Sequence, residues 1–320
     1  MVKLYRNHFT DPYFNLASEQ YLLDTCGDDE VFMLWRNEPC VVIGRSQNAY
    51  AEINDEFVRQ NNIKVVRRLT GGGAVFHDLG NVNFSCITPK KDCDSLDFKR
   101  FMNPIVDALK KIGVPAEISG RNDMLADGKK ISGNAQCVYN DKVLHHGTLL
   151  FNADMSNLVG ALNVDPEKIK SKGIKSVRSR VGNIAEYVNS MSVIEFMEYL
   201  ENSLGIAPEE FTEADVEAIT KLAREKYSTW EWNYGTSKKF SSLKKKRFDF
   251  GIIEVGYESD GKVLTDVSIK GDFFGMDQID LLEKRLCGTA LKHKELESAL
   301  ENISSYITGA TPEDIISLIL

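Results

Sequence analysis

Long apolar runs are missing from this chain. No stretch approaches the roughly 18 apolar residues of a membrane-spanning helix, and the opening MVKLYRNHFTDP has no apolar core of the kind a secretory leader carries. Neither insertion nor secretion is expected, which points to the cytoplasm. Basic excess is missing too. The net charge is -8, and neutralising a phosphate backbone needs a basic footprint, so a general nucleic-acid binder is not expected. The six cysteines (Cys26, Cys40, Cys86, Cys93, Cys137, Cys287) show no C-x-x-C pair and no metal-ligand spacing. That fits reduced thiols acting as small buried hydrophobes. Internal repeats and low-complexity tracts are absent. So are G-x-x-x-x-G-K-[ST] and a G-x-G-x-x-G opening a helix, the two familiar phosphate motifs.

What remains is an ordinary globular composition of 320 residues, 42% hydrophobic, enough for one large domain and a small one. Asp11-Pro12 before YFNLASEQYLLD reads as a capped helix with proline in its first turn. VFMLWR and CVVIGR flank Asn37-Glu38-Pro39 as a hairpin. NVNFSCI alternates, placing Val82, Phe84 and Cys86 on one face and Asn81, Asn83 and Ser85 on the other, a half-buried strand with a polar working face. DFKRFMNPIVDALKKIGV has helical spacing, with Pro104 positioned to kink or delay it. ISGNAQCVY and KVLHHGTLLFN meet at Asn140-Asp141 as a second hairpin. Helical patterns follow from Val193. The basic run KKFSSLKKKRF then reads as a linker before a hairpin around Ser259-Asp260-Gly261. The expected class is α+β: a mainly antiparallel or mixed sheet with helices on one side, residues 1–246, and a small α+β unit, residues 247–320.

Two stretches carry chemistry. In VVRRLTGGGAVFHDLGNVNFS three glycines join strand to strand, and glycine within a strand costs roughly 0.5–1 kcal/mol, so the triplet calls for a reason such as close approach of backbone to a ligand. A turn whose amides converge can hold an anion, and one of Arg67 and Arg68, which face opposite ways, can add a bidentate fork. The same spacing also fits a glycine bulge flanked by surface arginines. In GRNDMLADGKKISGNAQ a polar turn precedes Lys130, at the start of a strand bearing Ser132-Gly133-Asn134-Ala135. A lysine there can set one ammonium between two negative groups, although a solvated surface lysine is the commoner case.

RRLTGGGAVFHDLGNVNFS, GRNDMLADGKKISGNAQ, HHGTLLF and KSKGIKSVRSRVGNI occur in the order of the lipoate-protein ligase A family, which the chain resembles over nearly its whole length, and WEWNYGTSKKF with the small C-terminal unit matches the two-domain form. The resemblance implies a catalytic domain of the class II synthetase and biotin-ligase type. It also implies two half-reactions: lipoate and ATP give lipoyl-AMP and pyrophosphate, and the lipoyl group then passes to a lysine of an acceptor. Acceptors would be the lipoyl domains of 2-oxoacid dehydrogenase E2 subunits and the glycine-cleavage H protein. ATP and Mg2+ enter as substrate and activator, and no tightly bound prosthetic group is expected. Lys130 matches the catalytic lysine. Arg68, Gly71, Gly72, Gly73, Ala74, Val75, Phe76, His77, Asn83, Asn122, Asp123, Ser132, Gly133, Ala135 and Thr148 fall at nucleotide- and lipoyl-binding positions, with Asp123 also a candidate for Mg2+.

Small residues such as Gly72 and Ala135 would line the slot for the lipoyl tail, and one of His145 and His146 would face the ligand. Lys172, Gly173, Lys175 and Arg178 lie in the segment that closes over the adenylate in this family; on composition alone it reads equally as a solvated loop. Two rivals stay open. An octanoyltransferase of the same superfamily would need a thiolate, for which Cys137 is the one cysteine near the SGNA stretch. A lipoate carrier without adenylating activity would keep the pocket alone.

Overall fold

A computed structural model describes residues 1–92, 97–154, 160–163, 181–235 and 240–320. Strand β1 (Val2–Arg6) leads into helix α1 (Pro12–Thr25), whose first amides, Tyr13 and Phe14, donate to the Asp11 carboxylate at 2.7 and 3.3 Å. After β2 (Glu30–Trp35) and β3 (Cys40–Ile43) come two short helices, α2 (Ala49–Glu52) and α3 (Asp55–Gln60). β4 (Lys64–Arg67), β5 (Val75–His77) and β6 (Asn81–Pro89) follow, then α4 (Phe98–Lys111). β7 (Ala116–Ser119), β8 (Asp123–Ala126), β9 (Lys129–Tyr139) and β10 (Lys142–Leu150) run on as a meander, and β11 (Pro208–Glu210) lies beyond a helix at Val193–Ser203.

Eight of these strands form one sheet in the order β11-β1-β2-β6-β10-β9-β8-β7, parallel where β1 meets β2 and β11 and antiparallel elsewhere. Helices cover both faces, not the one expected. Phe98, Met102, Ile105 and Leu109 of α4, with Phe196 and Leu200 of the 193–203 helix, pack on Leu34, Phe84 and Leu149. Leu16 and Leu22 of α1, with Ile219 and Tyr227, pack on Met33, Ile87 and Leu144. This second layer changes the reading of β6. Its polar side, Asn81, Asn83 and Ser85, is buried rather than half-exposed, because α1 lies over it.

The hairpin expected around Asn37-Glu38-Pro39 does not form. β3 belongs to a separate three-stranded sheet, parallel to β4 and antiparallel to β5. CVVI is apolar on both sides and takes the central place, where both faces are covered. The glycine stretch therefore links the two strands that flank β3. The hairpin at Asn140 forms as expected, with Asn140 at φ +54°, and α4 runs unbroken through Pro104.

The C-terminal residues build a third sheet, β12 (Ser242–Phe248), β13 (Gly251–Ser259) and β14 (Leu264–Gly271), with helices at Ile279–Leu286, His293–Ala299 and Pro312–Ile319. Its core of Ile253, Val255, Leu282, Leu296 and Ile315 is its own. The basic run is not a linker beyond Ser242: SLKKKRF is an edge strand whose charges stay in solvent, a common guard against edge-to-edge pairing. β12 spans the 246/247 division drawn from the sequence.

Candidate active site

A cavity of about 190 Å3 opens where the glycine stretch faces β9 and β10. Lys130 stands at it with its ammonium 2.7 Å from Asp123 Oδ1, both side chains a little over one-third exposed. A shift of register between β8 and β9 at Met124/Leu125 brings the two together, although Leu125 and Asp123 pair with Lys130 and Gly133 respectively. The turn before Asp123 is clamped to β9: Asn134 N donates to Asn122 O at 2.9 Å and Asn122 Nδ2 donates to Asn134 O at 2.8 Å. Thr148 Oγ1 accepts from Gly133 N at 3.1 Å.

The three glycines have distinct surroundings. A Cβ at Gly71 would strike the Phe273 carbonyl oxygen, and one at Gly72, which sits at φ +87°, would lie 2.9 Å from the Phe274 ring. Only Gly73 would place a Cβ in open space. Two of the three thus yield to backbone and ring from the C-terminal unit, and the third faces the cavity.

Arg67 and Arg68 diverge as strand geometry requires. Arg67 donates to the carbonyls of Gly44, Arg45, Gln47, Trp232 and Asn233 at 2.7–3.0 Å, a structural brace on the far side. Arg68 lines the cavity, but the fork expected to meet an anion is engaged by the turn. Nη2 donates to Gly71 O and Gly73 O at 2.7 and 2.8 Å, Nη1 to Val42 O at 3.2 Å and Nε to Thr70 Oγ1 at 3.0 Å. Burial pushes its pKa down to about 10, with Glu19 opposing. Its charge remains at the wall while its hydrogen bonds shape the loop.

Behind Arg68 runs a buried chain of polar groups. Thr70 Oγ1 lies 2.7 Å from His146 Nε2, His146 Nδ1 lies 2.8 Å from Glu19 Oε1, and Ser85 donates to that oxygen at 2.6 Å while accepting from Trp35 Nε1 at 2.7 Å. Thr70 accepts from Arg68, so its proton is free for Nε2, and the matching tautomer of His146 donates through Nδ1. His146 faces the cavity. His145 points the other way, 4.8 Å from the Phe101 ring, and burial holds its pKa well below the ordinary value. His77 also lines the cavity; burial first, then Arg68 and His146, push its pKa down to about 3. Asp78 turns away to accept from Gly80 N and Asn81 N, so the two do not act as a pair.

The cavity thus gathers Arg68, Gly72, Gly73, Ala74, Val75, His77, Asn83, Asn122, Lys130, Gly133, Ala135 and Thr148. Asp123 joins through Lys130. Phe76 packs in the small core with Val41 and Ile43, and Ser132 is buried accepting from Asn134 Nδ2. Gly71 borders a second cavity of about 320 Å3 behind the turn, beside Arg45, Cys137, Lys226 and Trp232. That space is larger, yet among the expected site residues only Gly71 borders it. Lys172, Gly173, Lys175 and Arg178 lie outside the described residues. Sequence reasoning missed Leu16, Trp35, Val42 and Phe274 in the apolar part of the lining, along with Asn134 and Gly147; of the two histidines, one expected to face the ligand, His146 is the one at the cavity. Those apolar residues read as core anywhere along a chain, and Phe274 arrives only by docking of the C-terminal unit.

The family model of the lipoyl protein ligase A/B catalytic domain matches residues 11–205, and that of the bacterial lipoate protein ligase C-terminus matches residues 237–319. The chain belongs to the lipoate-protein ligase family. Lipoate-protein ligase LplJ of Bacillus subtilis is 42% identical over 331 aligned positions, covering 100% of both chains. Among solved structures, P. falciparum LipL1 in complex with lipoate superposes with a TM-score of 0.83 at 26% identity, covering 100% of this chain and 99% of that one. A bipartite lipoate protein ligase of Thermoplasma acidophilum, studied with its E2 lipoyl domain, gives 0.66 at 31% identity over 75% of this chain and 98% of that one. Lipoate-protein ligase A bound with ATP gives 0.61 at 28% over 73% and 98%. The motif resemblance and the α+β class are both borne out by these matches to lipoate-protein ligases. Within this ligase fold the described residues include no helix long and apolar enough to cross a membrane.

Proposed function

We propose that this chain is an ATP-dependent lipoate-protein ligase that activates lipoate as lipoyl-AMP, releasing pyrophosphate, and transfers the lipoyl group to a lysine of an acceptor lipoyl domain. The observation that carries this reading is the placement of the Lys130 ammonium, 2.7 Å from Asp123, at a cavity whose lining pairs an amide-rich glycine turn with Leu16, Trp35 and Val42. Lipoate carries a carboxylate on an apolar tail, and this lining has both halves of the complement. Burying the tail contributes about 0.8 kcal/mol for each methylene.

In the first step a carboxylate oxygen attacks the α-phosphorus and pyrophosphate leaves. Two anions must approach, so the protein's part is positioning and neutralisation. Lys130 supplies the positive charge between them, and Asp123 holds its side chain in the cavity until substrate displaces that contact. In the second step the acceptor amine attacks the acyl carbon and AMP leaves, with Lys130 again beside the developing charge. Gly72 N is taken by Phe273 O, so the donors this reading assigns to the turn are the amides of Gly73 and Ala74, held by the Arg68 brace.

Mg2+ is carried in with ATP. Asp123, whose other carboxylate oxygen is not the one beside Lys130, would hold the ion, with phosphate oxygens and water as the further ligands this ion prefers. Among the described residues no cluster of three His, Cys, Asp or Glu side chains stands ready to hold a metal. Acceptors in this reading are the E2 lipoyl domains and the glycine-cleavage H protein, and the reaction belongs in the cytoplasm, where ATP is supplied. The unit that begins with β12 at Ser242 serves as an accessory to the catalytic residues before it.

A thioester route finds no support. Cys137 borders the second cavity and burial pushes its thiol up to about 12, against the thiolate that route needs. The decisive experiment is incubation of a recombinant lipoyl domain with the chain, ATP, Mg2+ and lipoate, read by mass spectrometry. The lipoyl mass shift is expected with the wild-type chain and lost in Lys130→Ala; an ATP-independent shift sinks the reading.

A further inference from the structure

The second cavity, of about 320 Å3, lies behind the glycine turn where the catalytic unit meets the C-terminal unit. Arg45, Lys226 and Trp232 line it from the catalytic side, and Gln278, Ile279 and Tyr306 from the other. Its charge runs against that of the molecule. The chain as a whole carries -8, yet among the described residues Asp277 is the only carboxylate on this wall, and it is exposed.

Both cations lie over one indole. The Arg45 guanidinium carbon is 4.8 Å and the Lys226 ammonium 4.1 Å from the centroid of the Trp232 ring. Trp232 is pinned in turn, because its Nε1 donates to Arg67 O at 2.8 Å and its carbonyl accepts from Arg67 Nε at 2.9 Å. An aromatic face attracts a cation without neutralising it. Lys226 spends one donor on Gln20 Oε1, at 2.6 Å, and keeps the others. Arg45 makes no ion pair among the described residues, which leaves its planar fork of donors unclaimed. Burial first, then the charge of Arg45, push the Lys226 pKa down to about 8 against the opposing Asp24. An ammonium penalised in this way is relieved by an anion at its side.

We propose that this cavity binds a small oxyanion of the phosphate class, inorganic phosphate or pyrophosphate, between Arg45 and Lys226 at the seam of the two units. The guanidinium fork matches two oxygens of such an anion, and the ammonium serves a third as a point charge. Tyr139, Gln278 and Tyr306 add neutral donors to the wall, the last two from the C-terminal unit, so the anion draws on both units at once. Gly71 borders this cavity while Gly72 and Gly73 border the first, which sets the anion against the back of the turn.

Such binding needs neither lipoate nor ATP, so its test stands apart from the ligase reading. Phosphate and pyrophosphate are titrated calorimetrically, in separate runs at low ionic strength, into the full chain as wild type, Arg45→Met, Lys226→Met, Gln278→Glu and Lys130→Ala. Binding is expected in the wild type, and the tighter of the two anions identifies the ligand. Loss of a charged donor should raise Kd roughly tenfold or more in Arg45→Met and in Lys226→Met. Gln278→Glu adds a second carboxylate to the wall at an exposed position and should raise Kd severalfold. Lys130→Ala alters the first cavity alone and should stay within twofold of wild type. Should a Met variant fail to fold, the exposed Gln278→Glu still decides. No binding of either anion to the wild type at millimolar concentration overturns the inference, as does a Kd within twofold of wild type in the folded variants of Arg45, Lys226 and Gln278. Binding lost in Lys130→Ala instead would place the anion in the first cavity and overturn it equally.

Discussion

At the scale of single residues, charge and burial divide the work. Lys130 is partly exposed with its ammonium 2.7 Å from Asp123 Oδ1, a contact that substrate displaces in the proposed reading. Removing one preorganised charge from such a site costs roughly 10²–10³ in kcat, so Lys130→Ala should lose that much lipoate-dependent pyrophosphate release while its thermal melt is unchanged. Histidines mark the opposite case. His77 is pushed down to about 3 and His145 well below its ordinary value, both by burial. Each is neutral in the folded protein and takes up a proton on unfolding below about pH 6.5. The contribution of each is therefore unchanged above that pH and turns against the fold as pH falls below it, for His77 down to about 3. Urea unfolding between pH 7 and pH 4 should show stability falling by up to about 1.4 kcal/mol per pH unit for each histidine, and by less in His145→Phe.

At the scale of elements, the glycine turn shows that three identical residues have three reasons. Gly73→Ala meets open space and should leave stability within about 0.5 kcal/mol. It puts a methyl into the cavity, so the KM for lipoate or ATP should rise. Gly72→Ala demands a left-handed alanine at φ +87° and presses on the Phe274 ring and Arg68, and should cost about 1–3 kcal/mol. Equal melts for the two variants would contradict this assignment. The start of α1 is a simpler case. Asp11 caps two amides and faces Lys64 at 2.8 Å, so Asp11→Ala should cost about 1 kcal/mol in chemical unfolding, nearly all from the cap.

At the scale of the whole molecule, two cores meet at a seam. The C-terminal core is closed on itself around Leu282, Leu296 and Ile315, and the Gly271–Phe274 segment ties it to the catalytic unit by backbone bonds, with two cavities lined from both sides of the same seam. Calorimetry should resolve two transitions. Leu296→Ala, which empties a fully buried site, should lower the C-terminal one by about 2–5 kcal/mol and leave the other in place. A single transition that moves as a unit would mean that the seam couples the cores more tightly than its contacts indicate.

Local chemistry was legible in the order of residues. The Asp11-Pro12 cap, the Asn140 turn, the strand-to-strand glycines and the divergence of Arg67 from Arg68 depend on neighbours a few positions apart, and steric and hydrogen-bonding rules at that range are written into the sequence. Four motifs in their usual order sufficed for the family. The placement of β3 in a second sheet, the helix layer over Asn83 and Ser85, and the apolar lining of the cavity were decided only by tertiary packing. Apolar residues carry no address: Leu16, Trp35, Val42 and Phe274 look like any core positions until distant segments bring them to one cavity. The same holds for the glycines, whose missing side chains the sequence shows and whose new neighbours, Phe273 and Phe274, only docking supplies.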